Sequence, residues 1–563
     1  MASSLNLDEP RWIVKGVLRT ETALHIGDGD TVPDLPEQAK PAGEGEKTLW
    51  PFGQLYDKDG KPVEVSSVAT DQDGKAYIPA SALKGPIRAW LEKLDPKVVE
   101  KLLGHQDEGT EAGLGGKAEF LDAPLSSAPA QNPFEPDDED RRYTQFWRKQ
   151  RATCIAPLVA IDRTMGAGVD GKLAHFEFVP PGLEFAVEIR GRMSDVELQQ
   201  LLMALEAFNG GDWQRVALGA RNANGWGRMQ WALTEIKKIH RAWVREHRAA
   251  WIAAPSQMQK DTDDKAQEKL AMHRDKALAL LRNQGKRGKR MSLEVTIHMD
   301  GPFLVNDVTR TGEQKNGLPG HAPRLDEKGR PVLPSSSIRG SLRQQMEKIV
   351  RTIFNKDRAA WEGHDADNFG SVINLEDAKD RLCPVSILAG APGWKAPLEL
   401  SDFVGRIGAQ RARQDFVAID RFTGGAAESQ KFDAEYVYAP VLTGTIEVDL
   451  ERMHKITSDR GQNPDWPLIL LLYGLRDLHE GDVRLGWGGS KGYGMVREIE
   501  VRLQEAPDDV IPRPAFELKF GAIAGADAET IVAWHEGLVD WLKSHPDMPW
   551  SPLKEDEPQE VTA

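Results

Sequence analysis

Apolar and polar residues alternate in part along Val14-Lys-Gly-Val-Leu-Arg-Thr-Glu-Thr-Ala-Leu-His-Ile26 and again along Leu293-Glu-Val-Thr-Ile-His-Met-Asp-Gly-Pro-Phe-Leu-Val305. Period-two patterning with β-branched residues predicts a strand in each. The first runs into Gly27-Asp-Gly-Asp30 and the second into Asn306-Asp307, and a long polar loop follows both. Asp71-Gln-Asp-Gly74 and Asp326-Glu-Lys-Gly329 then signal turns at the same offset from Pro79 and Pro334. Beyond each proline the period changes to that of a helix, with Leu83, Ile87, Trp90, Leu91 and Leu94 in one and Ile338, Leu342, Met346 and Val350 in the other.

The two halves therefore share an order of elements, and a fixed-order repeat is to be read before any single motif. Tyr77-Ile-Pro-Ala-Ser-Ala-Leu-Lys-Gly-Pro-Ile-Arg88 aligns without a gap on Val332-Leu-Pro-Ser-Ser-Ser-Ile-Arg-Gly-Ser-Leu-Arg343. Ala118-Glu-Phe-Leu-Asp122 parallels Leu398-Glu-Leu-Ser-Asp402, and Ala160-Ile-Asp-Arg-Thr164 parallels Ala418-Ile-Asp-Arg-Phe-Thr423. A helix is expected at about 195–208 and about 467–478. A Gly-rich turn then closes each half: Leu218-Gly-Ala-Arg-Asn-Ala-Asn-Gly-Trp-Gly-Arg228 and Leu485-Gly-Trp-Gly-Gly-Ser-Lys-Gly-Tyr-Gly-Met495. The order β, α, β-rich middle, α, Gly loop, β fits an α+β fold of two modified ferredoxin-like (RRM-like, βαββαβ) domains with long insertions and hairpins. The expected divisions are a first domain at 1–236, a basic helical linker at 237–290, a second domain at 291–503 and an acidic C-terminal extension at 504–563.

Size and composition agree with several domains. A chain of 563 residues is too long for one ordinary core, and its 40% apolar and 28% charged residues are those of a globular protein. No apolar run reaches the roughly 18–20 residues that cross a bilayer. Met1-Ala-Ser-Ser-Leu-Asn-Leu-Asp8 has neither a basic nor an apolar leader region, so a cytoplasmic protein is expected. With Cys154 and Cys383 as the only cysteines, a disulfide framework and a Cys-based zinc ribbon are excluded. The 13 histidines show no metal-ligand spacing, so no metal site is indicated. The net charge of −15 is an average: Lys237–Arg290 holds fifteen Lys and Arg against six Asp and Glu.

The repeated residues suit an anion. A helix N-terminus attracts phosphate; Ser81 could cap the first helix while Lys84 and Arg88 add full charges, and Ser336, Arg339 and Arg343 repeat the arrangement. A plain helix cap with solvated cations would leave the same pattern. The Gly-rich turns lack G-x-G-x-x-G and precede a strand, which excludes a dinucleotide site. They offer close backbone approach, with Arg221, Asn222, Asn224, Ser490 and Lys491 as donors. Trp226 and Tyr493, at equivalent positions, could stack on a base or simply pack. The Ala-Ile-Asp-Arg pair could be a buried Asp–Arg contact, but its small-residue flanks also suit a protruding hairpin.

Taken in order and twice, these residues resemble the RAMP superfamily that builds the backbone of type III CRISPR-Cas effector complexes. The likeness rests on Leu24–Asp30, Ile78–Gly85, Ala160–Arg163 and Gly225–Gly227, and on Leu333–Gly340, Ala418–Gly425 and Gly486–Gly494. It spans about Arg11 to Leu503. A fused pair is similar to the tandem subunits of the III-D/III-E lineage, although the lack of cysteines departs from those that carry zinc fingers.

The resemblance implies RRM-like domains that stack along a guide CRISPR RNA, with helix ends and Gly-rich loops on its backbone and a thumb hairpin interrupting the guide–target duplex. Arg163 and Arg421 join the RNA contacts on this footing. It also implies a complementary target RNA and other effector subunits as partners, namely further RAMP subunits and a large polymerase-like subunit, with no membrane. Some members cut target RNA with an acid in the loop before the I-P-x-S element. Asp28, Asp34 and Asp307 are the candidates here, though the matching positions fall near Val65 and His321. No tightly bound cofactor is expected, and Mg2+ or another divalent cation only if the chain cuts. Three readings follow: an RNA-binding scaffold, a target-RNA endoribonuclease using loop aspartates, and a guide-processing ribonuclease resting on His25, which Leu304 replaces in the second copy.

Overall fold

The computed structural model describes residues 9–33, 64–106, 113–126, 147–148, 151–161, 168–210, 215–239, 263–284, 290–307, 319–326, 328–354, 382–391, 393–420, 422–458, 463–505, 517–519 and 526–543. The chain divides into two compact units, one of Met1–Asn222 with Trp226–Arg287 and one of Ala223–Gly225 with Gly288–Ala563.

In the first unit the strand Arg11–Thr20 buries Trp12, Val14 and Leu18 on alternate positions. Antiparallel neighbours flank it, Glu184–Arg192 on one side and Met229–Ile239 on the other, and Ala118–Phe120 lies outside Glu184–Arg192. Numbering these strands by their order in the fold, the sheet reads 4-1-3-2, which is the ferredoxin arrangement. The helices Ala80–Glu92 and Asp195–Glu206 supply its cover. Leu83, Ile87, Trp90 and Leu91 from one and Leu198, Leu201, Leu202 and Leu205 from the other enter the same core. Ser194 and Glu197 start the second of these helices with a reciprocal capping box. The helix Asp263–Gln284, within the stretch expected to be a basic linker, adds Ala277 and Leu281 to this core.

The second unit repeats the sheet. Arg290–Asp300 buries Met291, Leu293, Val295, Ile297 and Met299 between Val441–Asp449 and Met495–Glu505, with Leu398–Leu400 beyond Val441–Asp449. Glu517–Lys519 extends the opposite edge. The helices Ser335–Phe354 and Leu468–His479 correspond to the two of the first unit. The helix Ala526–Lys543, from the stretch expected to be an acidic extension, places Trp534, Leu538, Trp541 and Leu542 in the core.

The β-rich middles form long antiparallel hairpins outside these sheets. One is Thr153–Ile161 with Gly168–Phe178, and the other is Arg411–Ile419 with Ala426–Tyr438. In the second hairpin the carboxylate of Asp420 accepts from the backbone N–H of Phe422 at 2.9 Å and of Thr423 at 2.8 Å, which holds its pKa below the usual range. This aspartate builds an exposed turn and is not a buried ion-pair partner, and the Phe422 side chain beside it is wholly exposed.

Candidate nucleic-acid interface

The two Gly-rich turns are one structure used twice. Backbone at Gly219, Arg221, Gly225 and Gly227 is left-handed, as it is at the matching Gly486, Gly488, Gly492 and Gly494. In the first unit Ala220 N–H donates to His25 O at 2.8 Å and Gly227 N–H to Ala23 O at 2.8 Å. In the second, Trp487 N–H donates to Leu304 O at 2.6 Å and Gly494 N–H to Pro302 O at 2.9 Å. Each turn is thus pinned to the far end of its own first strand. The hydrogen bonds Leu218 N–H to Gly227 O and Leu485 N–H to Gly494 O, both 3.0 Å, close the two turns at their necks.

Arg221 is the one non-glycine among these eight left-handed positions, with φ at 62°. Holding an L-residue there costs about 1–2 kcal/mol, and the guanidinium shows what offsets it. Its carbon lies 4.0 Å from the centroid of the Phe176 ring and 5.7 Å from that of Trp226, a stacking worth about 0.5–2 kcal/mol. Burial lowers its pKa without discharging it. Asn222 turns its NH2 inward, to the carbonyls of Leu218 and Trp226 at 3.1 Å each, so it braces the turn. Asn224 ends a short 3-10 turn begun by Asn222.

The aromatic pair divides. Trp226 is half-buried against Phe178, with ring centroids 5.5 Å apart. Tyr493 is 1% exposed and its hydroxyl donates to Gln414 Oε1 at 2.9 Å. Burial pushes its pKa up to about 12. Of the two options open to it, Tyr493 packs. The half-buried ring of this turn is Trp487, under the Lys491 ammonium at 5.2 Å, with Ser490 exposed nearby. Trp487 carries no signal in the repeat, because its counterpart in the first copy is Ala220.

The I-P-x-S helices start differently from the expectation. Ser81 is exposed and makes no cap; Pro79 holds the N-cap position, and the Ala80 N–H donates to Asp122 Oδ1 at 2.8 Å. In the second copy the Ser335 N–H donates to Asp402 Oδ1 at 2.7 Å, and Ser336 is half-buried. A carboxylate from the end of the next strand therefore already sits at each helix start.

The cations are mostly occupied as well. Arg88 Nη2 donates to Leu103 O at 2.8 Å and Gly104 O at 3.0 Å, and Arg343 Nη1 donates to Gly390 O at 3.0 Å. Each closes the C-terminal end of the following short helix, Pro96–Leu103 or Pro384–Ala389. Arg339 donates to Ala389 O at 2.5 Å and Leu398 O at 2.8 Å, and burial pushes its pKa down to about 10. Lys84 differs. Burial and the neighbouring Arg88 lower its pKa, and among the described residues it makes no hydrogen bond or ion pair.

Of the loop acids, Asp28 belongs to the first unit and Asp307 to the second. Asp28 is exposed on the strand Gly27–Pro33 and accepts from Ser67 Oγ at 2.7 Å; Asp307 is half-buried, and its N–H donates to Ala322 O at 2.8 Å. Asp34, Arg163 and Arg421 lie outside the described residues. His25 is 5% exposed, with Nδ1 2.7 Å from Glu177 O, so it is a core histidine. Val65 is buried, and His321 packs at a tilt against Trp487 with ring centroids 4.5 Å apart. Among the described residues one group of three potential metal ligands comes together, His298 with Glu498 and Glu500, and it includes no loop acid.

Two buried carboxylates stand outside every motif of the sequence. Glu177 accepts from Arg151 at 2.7 and 2.8 Å, from Thr153 Oγ1 at 2.5 Å and from the Val68 N–H at 3.0 Å. Asp433 is bonded to Arg413 and accepts from the Gly320 N–H at 3.3 Å. Each ties a hairpin strand to the loop segment that leads into the I-P-x-S helix. An acid in the apolar alternation of Phe176-Glu-Phe178 was the available signal.

Comparison with known families agrees with this duplicated geometry. A family model described as the RAMP superfamily matches residues 17–230 and 310–497, together more than half of the chain. The chain belongs to the RAMP superfamily. No curated protein matches it. RAMP proteins are generally CRISPR-associated and RNA-binding, and the two matched regions agree with the tandem sheets of this one. Among the described residues no helix of this RAMP protein is long and apolar enough to cross a membrane.

Proposed function

We propose that this RAMP protein is a guide-RNA-binding backbone subunit of a type III CRISPR-Cas interference complex, in the tandem form of the III-D/III-E lineage, positioning the guide CRISPR RNA and its target beside further effector subunits in the cytoplasm. One observation carries the reading: each Gly-rich turn holds a cation against an aromatic ring, Arg221 on Phe176 and Lys491 on Trp487. A stacked cation beside close-approach backbone serves a sugar-phosphate chain without reading its bases. Gly85 and Gly340 add support. They occupy matching exposed helix positions where a Cβ would meet nothing within 4 Å, yet glycine costs about 1 kcal/mol relative to alanine inside a helix. Internal packing gives no reason for either, and close approach of an RNA backbone does.

The test is binding of a guide-length RNA to the full chain across a salt series. Arg221→Gly with Lys491→Ala is expected to weaken binding at low salt and to reduce the salt slope by about one for each phosphate no longer neutralised. Lys84→Glu should act the same way, whereas Arg339→Glu should act through lower stability, because that guanidinium bonds to backbone carbonyls. Unchanged affinity in the double variant would remove the stacked-cation argument.

A second reading, target-RNA cleavage through Asp28, Asp34 or Asp307 with Mg2+ or another divalent cation, is favoured by Asp28, an exposed carboxylate oriented by Ser67. Neither Asp28 nor Asp307 belongs to a group of three ligands among the described residues, so a cation there would need oxygens from RNA. Alanine variants of the three, assayed in the assembled complex, separate the readings. Loss of cleavage in one variant with guide binding retained supports it; normal cleavage in all three ends it. Guide processing through His25 has no support from that buried ring.

A further inference from the structure

We infer that His298, Glu498 and Glu500 form a binding site for a divalent transition cation, Zn2+ or Mn2+, on the sheet of the second unit. The three project from adjacent strands. His298 stands opposite Glu498 in the antiparallel register, and Thr296, two residues earlier, stands opposite Glu500. Buried Ile297, Met299 and Ile499 alternate with them along the two strands, so the three share the face opposite the core. Their ligand atoms all lie within 4.8 Å of one another.

The histidine is what points to a ligand. Its Nε2 is shut off from solvent and has no hydrogen-bond partner, although Glu500 Oε1 lies 3.4 Å away. A charge-assisted bond between the two would draw the atoms to about 2.7–2.9 Å. A tetrahedral ion with arms of about 2.0–2.2 Å instead sets its ligand atoms about 3.4 Å apart. The spacing is that of two ligands around a shared ion. Glu500 divides its oxygens accordingly, with Oε1 toward His298 and Oε2 3.4 Å from Arg502.

Electrostatics point the same way. Two carboxylates side by side on one strand repel, and Glu294 carries a third charge on the same face, 3.9 Å from Arg502. Arg502 is 57% exposed, so its ion pairs offset little of this. A divalent cation would neutralise both Glu498 and Glu500 and satisfy Nε2. Imidazole with two carboxylates suits Zn2+ or Mn2+ better than Mg2+, which favours an all-oxygen shell. The fourth position would take water or an oxygen anion such as phosphate. Read from sequence, Glu498 and Glu500 are two apart and His298 is far upstream, so no motif announces the site; strand register creates it.

Chelator-treated full-length protein is to be titrated with Zn2+ by calorimetry and with Mn2+ by EPR, beside Glu498→Gln/Glu500→Gln and His298→Gln. The wild type should bind one equivalent more than either variant, or bind that equivalent about tenfold or more tightly. Its thermal midpoint should rise with Zn2+ while those of the variants do not. Should the double variant fail to fold, Glu500→Gln alone serves the comparison. Equal stoichiometry and affinity in wild type and folded variants, or no binding by the wild type, overturns the inference. So does a His298 ring that titrates as an ion pair with Glu500 and is indifferent to Zn2+. None of these outcomes depends on RNA binding.

Discussion

Gly227→Ala is expected to cost about 3 kcal/mol or more, enough to dismantle the closing turn of the first unit. Two effects add. A Cβ at Gly227 would lie 1.9 Å from Leu218 O, a backbone atom that cannot swing aside, and overpacking of this kind costs about 1–3 kcal/mol. The residue also has φ at 78°, which costs an alanine about 1–2 kcal/mol. The neck bond from Leu218 N–H to Gly227 O and the anchor from Gly227 N–H to Ala23 O would be strained together. Gly494→Ala should behave alike in the second unit, where the Cβ would lie 2.1 Å from Leu485 O. Urea denaturation measures both. Arg221→Gly is the contrast, because it relieves the same backbone strain and removes only the stacked cation, so it should stay within about 1 kcal/mol of the wild type.

Glu177→Ala should destabilise the first unit by about 3 kcal/mol, since it takes the carboxylate from the half-buried Arg151 guanidinium and leaves the buried Thr153 Oγ1 and Val68 N–H without their acceptor. The carboxylate also makes stability depend on pH. Arg151, Thr153 and Val68 hold its pKa below the ordinary 4.5 against the opposing pull of burial. A depressed folded-state pKa stabilises above the unfolded value, and the contribution is lost as pH falls through the folded value. The wild type should therefore lose stability on acidification below about pH 4.5 more steeply than Glu177→Gln, which carries no proton-linked charge there. Parallel acid-denaturation curves for the two proteins would contradict the assignment.

Strand order was legible in the sequence because duplication makes each element state its place twice. Arg11–Thr20 and Arg290–Asp300, which begin and end before the expected 14–26 and 293–305, take the same central position in their sheets, and Ala118–Phe120 and Leu398–Leu400 the same outer one. The Gly-rich turns were legible for the same reason. Left-handed backbone allows few residues, so Gly219 and Gly227 reappear as Gly486 and Gly494.

Side-chain partners were much less legible. Sequence displays a cation without showing what it touches: Arg88 reaches carbonyls at Leu103 and Gly104, and Arg343 reaches Gly390. Charge repeated at one position therefore suggests an anion site where much of it closes helix ends. Tyr493 packs while Trp487, of which the sequence says nothing, stays half-buried, because neighbouring aromatics, among them Tyr436 and Phe416, decide which ring is covered. Asp122 and Asp402 stand out in the sequence only as ends of parallel segments. Their capping of a helix some 42 or 67 residues upstream arises in the folded chain alone.

Affinity of the full-length protein for two guide-length RNAs of unrelated sequence, measured from low to high salt, tests the scaffold account most directly. It predicts closely similar affinities for the two RNAs and a linear fall of log affinity with log salt, as for a protein that neutralises several phosphates. Absence of binding at low salt, or a preference for one sequence that persists as salt rises, would contradict it.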